Sequence, residues 1–269
     1  MSKQGEVSKQ GEVDDMPVEE VLMSIAFPNE SLEYRGARDA LLQREADLRR
    51  LMEDVAAQRK LLPPGGEVPE DYVFDRIGDD GAATAVRMSE LFGDSDTLML
   101  YHYMFPRHPG DVRPRPTSGI FSELPTDEGP CPSCTALIDM WDGTTPHFDE
   151  LGGNLAIVAK APIERVAAFA QERGWRHTRV LSAANSNFRR DYGGDSADGH
   201  PVPLLTVFKR SPDGTIRLHR ASELMFVPPD DPEQDPGHPD TVEPLWTLFD
   251  LATSPRFRQW RVRHLPANW

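Results

Sequence analysis

The sequence predicts an α/β fold, a central mixed sheet with helices on both faces and a helical extension at the N-terminus. Three observations predict it. Strand-like apolar runs at 97–105 and 154–159 bracket a helix-like stretch that starts at Thr135, the strand–helix–strand order of two parallel neighbours. Two later runs, 203–210 and 215–219, flank Ser211-Pro212-Asp213-Gly214, a hairpin turn signal. Before them, residues 31–62 place Leu41, Leu48, Leu51, Val55 and Leu62 among alternating charges, the pattern of an amphipathic helix.

The first residues are polar. Ser2 to Val7 recurs as Ser8 to Val13, and two copies of six residues are too few for a solenoid. Residues 1–30 therefore read as a loosely packed or disordered tail, and 31–269 as the folded domain. The helix over 31–62 ends at Pro63-Pro64-Gly65-Gly66. It suits packing on a core, with a homodimer contact as the other use of its apolar stripe. Short strands follow around 72–74 and 82–86, separated by the turn Gly78 to Gly81, then one helical turn at 89–92.

The run 97–105 is apolar almost throughout, as expected of a strand covered on both faces. Residues 106–130 hold six prolines and form a loop insertion, which reads equally as a lid or flap in front of the next element and as a floppy insertion. Beyond the strand at 154–159, Pro162 opens a helix that runs to Arg173 and is closed by Gly174. A strand at 179–182 and a loop from Asn185 to Gly199 follow. Residues 228–240 read as loop and 243–252 as a C-terminal helix. A sheet of four or five strands is the expected size.

The chain has 269 residues and a net charge of −15. Phosphate-rich or anionic surfaces would repel it, which argues against nucleic acid as a partner. No apolar run approaches the ~20 residues that cross a bilayer, so no membrane role is expected. The N-terminus lacks the apolar core of a secretory signal, which points to the cytoplasm, where thiols stay reduced.

The chemistry centres on Gly129-Pro130-Cys131-Pro132-Ser133-Cys134, which holds both cysteines of the chain. A Cys-x-x-Cys pair that opens a helix after a core strand is the arrangement of a thioredoxin-like fold. A cysteine at a helix N-terminus faces unpaired N–H groups and the positive end of the dipole, so its thiolate is favoured. Cys131 is expected to be the exposed nucleophile. Cys134, one turn on, is the buried resolving thiol. Pro132 fits the first turn because it has no N–H to leave unpaired. Pro203 before a late strand suggests a cis bond facing the pair, with a backbone edge for an extended substrate. His102 is the candidate proton-transfer partner, and Pro203, Pro132 and Tyr103 are candidate substrate contacts. Asp139 and Asp142 read as solvated or capping groups rather than a relay.

Two other readings of the pair stay open. Zinc needs four ligands, and His102, His108 and His147 are the nearby candidates for a Cys2His2 site. The protein could instead bind a ligand without redox chemistry, or tailor one, on the same frame. The expected partner of a dithiol is a small-molecule or peptide disulfide, with no cofactor required.

Several stretches resemble a known family, the bacterial thioredoxin-like proteins long catalogued as a domain of unknown function. They are Ala37 to Leu42, Asp71 to Phe74, Leu91-Phe92, Tyr101 to Phe105, Gly129 to Cys134, Ala159 to Arg165, Arg173 to Trp175, Ser186 to Phe188 with Asp191-Tyr192, and Pro244 to Leu251. The resemblance spans about residues 35–265 and implies a thioredoxin-like fold with a dithiol site. It supplies no reaction or substrate. The loop 106–128 is longer than the family usually shows, and Pro203 is not assignable as a family feature. Both departures suggest a specialised thiol–disulfide oxidoreductase, for example one acting on a secondary-metabolite intermediate.

Overall fold

A computed structural model describes residues 27–111, 113 and 118–223. The expected N-terminal repeat, the loop 228–240 and the helix 243–252 lie outside the described residues, as does part of the proline-rich loop. The chain divides into two compact units, one ending at Leu62 and one beginning at Pro63.

In the first unit, helix α1 spans Leu32–Lys60. Ser31 caps it, its side chain accepting the N–H of Tyr34, and Arg59 and Lys60 complement the C-terminal end of the dipole. Its apolar stripe is largely open to solvent, with Leu41, Leu48, Leu51 and Met52 all exposed.

The second unit is built on one sheet of seven strands in the order β2-β1-β5-β4-β3-β6-β7. They are β1 (Val73–Ile77), β2 (Ala83–Arg87), β3 (Thr97–Tyr103), β4 (Leu155–Ala159), β5 (Arg179–Ser182), β6 (Leu204–Arg210) and β7 (Ile216–Ala221). All seven runs read as strands join this sheet, more than the four or five expected. The extra width comes from the β1–β2 hairpin, which attaches to β5 through the single pairing Asp75↔Ser182. A one-pair junction leaves no periodic signal in sequence.

At the centre, β3 pairs in parallel with β4, Met99 to Tyr103 against Leu155 to Ala159. β4 pairs in parallel with β5, and β6 runs antiparallel to the other side of β3. β6 and β7 form the expected hairpin. The sheet is mixed and carries helices on both faces, as the sequence predicts.

The helices of this unit are α2 (Met88–Leu91), α3 (Pro132–Asp142), α4 (Thr145–Glu150), α5 (Ile163–Arg173) and α6 (Phe188–Asp191). Strand alternation sorts the core into two layers. Tyr101, Tyr103, Leu155, Ile157 and Ala159 face α3 and α5, where they meet Leu137, Ile138, Val166 and Phe169. Leu98, Leu100, Ala156 and Val158 face the opposite layer with Phe74, Met88, Phe188 and Phe208. β3 and β4 are covered on both sides, which explains their unbroken apolar runs. α5 ends at Gly174, whose φ of 77° is the left-handed cap that glycine adopts without steric cost.

Two side-chain ties fix α3 against the start of β5. Asp139 accepts from Arg173 and from Trp175 Nε1. Asp142 accepts the N–H groups of Arg176, His177 and Thr178. Asp142 caps backbone N–H groups, while Asp139 is taken up by side-chain donors. No described helix is long and apolar enough to cross a membrane.

Candidate active site

Cys131 is the N-cap of α3, in extended conformation, and Pro132 occupies the first helical turn. The loop returns to β3 just before the pair, because the N–H of Cys131 donates to the carbonyl of Met104 and the N–H of Arg107 donates to that of Gly129. Thr135 Oγ1 donates to the carbonyl of Cys131 at 2.8 Å, and Tyr103 Oη lies 2.8 Å from the same hydroxyl. Tyr103 is therefore a buried prop under the helix start. It has no exposed surface to offer a substrate.

The two cysteines are free thiols 3.6 Å apart. Their titration is split. The Cys134 S–H donates to Cys131, and this hydrogen bond, with Arg113 and the N–H of Cys134, outweighs the opposing effect of burial and pulls the Cys131 thiol down to about 7. Burial, reinforced by the neighbouring Cys131 sulfur, pushes Cys134 well above the ordinary thiol range. The first proton leaves Cys131 and the second stays on Cys134.

Both sulfurs are buried, Cys131 at 0 % exposure. The expectation of an exposed Cys131 is corrected. The cover is the loop insertion, chiefly Arg113. Its Nη2 donates to Cys131 Sγ at 3.3 Å and its Nη1 to Ser133 Oγ. Arg113 is held by a two-pronged pairing with Asp111, Nε to Oδ1 at 2.8 Å and Nη2 to Oδ2 at 2.7 Å. Burial raises the Asp111 carboxyl, but these bonds more than offset it and hold the group below its usual range. Behind them lies Arg107, 1 % exposed, whose Nη1 donates to the carbonyl of Arg113 at 3.0 Å.

Pro203 and His102 are placed differently from the sequence expectation. The cis peptide among the described residues is Phe105–Pro106, so the Val202–Pro203 bond is trans, a correction. Pro203 directly precedes β6, one residue beyond the last register pair His102↔Leu204. His102 points away from the dithiol. It is an even-numbered residue of β3, and its ring stacks on Phe188 in the opposite layer at 5.1 Å. Its Nε2 lies 3.3 Å from Thr206 Oγ1, while that hydroxyl donates to Leu100 O. Burial holds the ring neutral, well below its ordinary pKa, with Arg189 adding to the effect. The alternation of a strand, not distance along the chain, removes His102 from the site.

The zinc constellation is not assembled either. His108 is exposed and meets the His200 ring edge-on, and His147 sits on α4, past the far end of α3. Among the described residues no group of three or more His, Cys, Asp or Glu side chains gathers. Sequence reasoning singles out none of Arg107, Asp111, Arg113 and Thr135. The available signal is weak: three arginines, Arg107, Arg113 and Arg115, in the loop that enters the Cys pair of an acidic chain.

A family model described as "Bacterial protein of unknown function (DUF899)" matches residues 25–264. No curated protein matches. Among solved structures, the chain is similar to the peroxidoxin BcpB from Mycobacterium tuberculosis at 20 % identity, over 58 % of this chain and 82 % of that one, with a TM-score of 0.37. It is similar to a hypothetical protein from Sinorhizobium meliloti 1021 at 16 % identity, over 76 % and 90 %, with a TM-score of 0.37. The mitochondrial 2-Cys peroxiredoxin from Plasmodium falciparum gives 12 % identity, over 57 % and 79 %, with a TM-score of 0.36.

Proposed function

The chain belongs to the bacterial family of unknown function DUF899, and from its site we propose that it is a dithiol–disulfide oxidoreductase in which Cys131 is the nucleophile and Cys134 the resolving thiol. One observation carries this reading. Two free cysteines lie 3.6 Å apart at a helix start, where their surroundings shift the two thiol pKa values in opposite directions, Cys131 down and Cys134 up. A pair built only to pack would not need one thiol drawn into the physiological range.

The reaction balances as follows. The Cys131 thiolate attacks one sulfur of a substrate disulfide, forming a mixed disulfide and releasing the other half as a thiolate. Cys134 gives up its proton and attacks Cys131 Sγ, closing the protein disulfide and releasing the second half. Two electrons pass from the dithiol to the substrate, and the Cys134 proton ends on a released thiolate. While Cys131 is anionic, Arg113 and the α3 N-terminus stabilise it. When Cys131 enters the mixed disulfide, Cys134 loses the neighbouring negative charge that kept it protonated.

A small-molecule disulfide suits the site better than a peptide. The trans Val202–Pro203 bond removes the motive for an extended-peptide edge, and both sulfurs lie under the loop. A reducing cytoplasm is the compartment this chemistry requires for turnover.

The test is trapping. Cys134→Ser incubated with a disulfide should accumulate a covalent adduct on Cys131, read by mass spectrometry, and Cys131→Ser should accumulate none. Adducts on Cys134 in the Cys131→Ser protein, with none in the reverse variant, would refute the assignment.

A further inference from the structure

We propose that Arg107 is a carboxylate receptor beside the dithiol, so that the substrate is a low-molecular-weight disulfide carrying a carboxylate close to its sulfurs; this deepens the oxidoreductase reading and rests on it for the word substrate.

Arg107 is 1 % exposed, yet its Nε and Nη2 have no hydrogen-bond partner among the described residues. Leaving buried donors unpaired is costly, and more so when they carry charge. The two unpaired atoms are not a random pair. Nε and Nη2 form the side edge of a guanidinium, whose parallel N–H groups match the two oxygens of a carboxylate. The neighbouring Arg113 uses the same edge on Asp111. Arg107 thus presents an unfilled copy of a fork that is filled six residues on.

Its position fits a substrate anchor. The N–H of Arg107 is bonded to Gly129, two residues before Cys131, and its Nη1 holds the carbonyl of the residue that contacts Cys131 Sγ. A Cβ at Gly129 would stand 3.6 Å from Arg107 Nη2, so the unpaired nitrogen faces a residue without a side chain. The charge count points the same way. Arg107, Arg113, Asp111 and a Cys131 thiolate sum to neutral. Once Cys131 joins a mixed disulfide its charge is gone, and two guanidiniums face one carboxylate. A substrate carboxylate restores the balance at that step. Entry requires Arg113 to move aside, and it is the partly exposed member of the pair, at 30 %.

The experiment uses the reduced full chain and three probes: dithiodipropionate, the neutral bis(hydroxyethyl) disulfide, and unreactive propionate. The rate of Cys131–Cys134 oxidation is followed by mass spectrometry, and the effect of propionate by thermal unfolding against chloride at equal ionic strength. The wild-type protein should react about tenfold or more faster with dithiodipropionate than with the neutral disulfide, the scale of one charge-assisted pairing. Arg107→Gln should bring the two rates together. Arg107→Lys, which keeps the charge and loses the fork, should retain a small part of the preference. Gly129→Ala, which leaves Arg107 in place and places a methyl against Nη2, should reduce it. Propionate should raise the unfolding temperature of the wild type and not of Arg107→Gln.

Equal rates in the wild type, or a preference that survives in Arg107→Gln and Gly129→Ala, overturn the receptor. If neither disulfide oxidises the pair, the oxidoreductase reading fails. The receptor is then judged on propionate alone: a stabilisation that depends on Arg107 keeps it, and none overturns it.

Discussion

Removing Arg113 should raise the pKa of Cys131. The ordinary thiol value is 9.0 and Cys131 stands at about 7, a gap of about 3 kcal/mol in favour of the thiolate. The Cys134 S–H is the first contributor, and Arg113 is the second favourable one. A hydrogen bond to a charged group contributes about 1.5–3 kcal/mol. Arg113→Met also leaves the Asp111 carboxylate, 9 % exposed, without its partner and close to the thiolate. The midpoint should therefore rise by about one to two pH units, back toward the ordinary range. The readout is thiolate absorbance of the reduced protein, with Cys131→Ser as the blank, so that access of a reagent to the buried sulfur does not enter. The double variant Asp111→Asn, Arg113→Met, which removes the repulsion too, should fall between the wild type and Arg113→Met. The stability sign follows from a depressed folded pKa: the contribution is present above the ordinary thiol pKa and is lost as pH falls through about 7. A wild-type midpoint near 9, or an Arg113→Met midpoint that does not move, would refute the proposed coupling.

Three further outcomes are expected. Tyr103→Phe breaks the contact to Thr135 under the α3 start and should cost about 1 kcal/mol in urea unfolding, while leaving both cysteines reactive. Gly194→Ala places a Cβ 1.9 Å from His102 Nδ1. It should destabilise by about 1–3 kcal/mol, and an unchanged urea midpoint would contradict the packing. His102 is held neutral in the fold, so its contribution is present above the ordinary histidine pKa and is lost as pH falls below it. His102→Phe should show a smaller loss of stability between about pH 6.5 and about pH 5 than the wild type, with no change in the Cys131 titration.

The amino-acid sequence by itself determined the strand–helix–strand centre, because strands covered on both faces must be apolar throughout and the Cys pair opens an element with helical spacing. It also determined the hairpin at Ser211 to Gly214, the close of α5 at Gly174 and the identity of the dithiol, since each follows from local backbone rules or from there being two cysteines. The tertiary structure alone decided what surrounds that dithiol. Strand alternation turned His102 into the far layer while it kept Tyr103 under the helix. The one-pair junction of β1 to β5 widened the sheet without a sequence period to announce it. Arg107, Asp111 and Arg113 came to the sulfurs through the fold of an irregular loop. Such a loop carries no periodicity, so which of its charges face inward depends on long-range closure onto β3 and α3, a property of the folded chain and not of any local stretch.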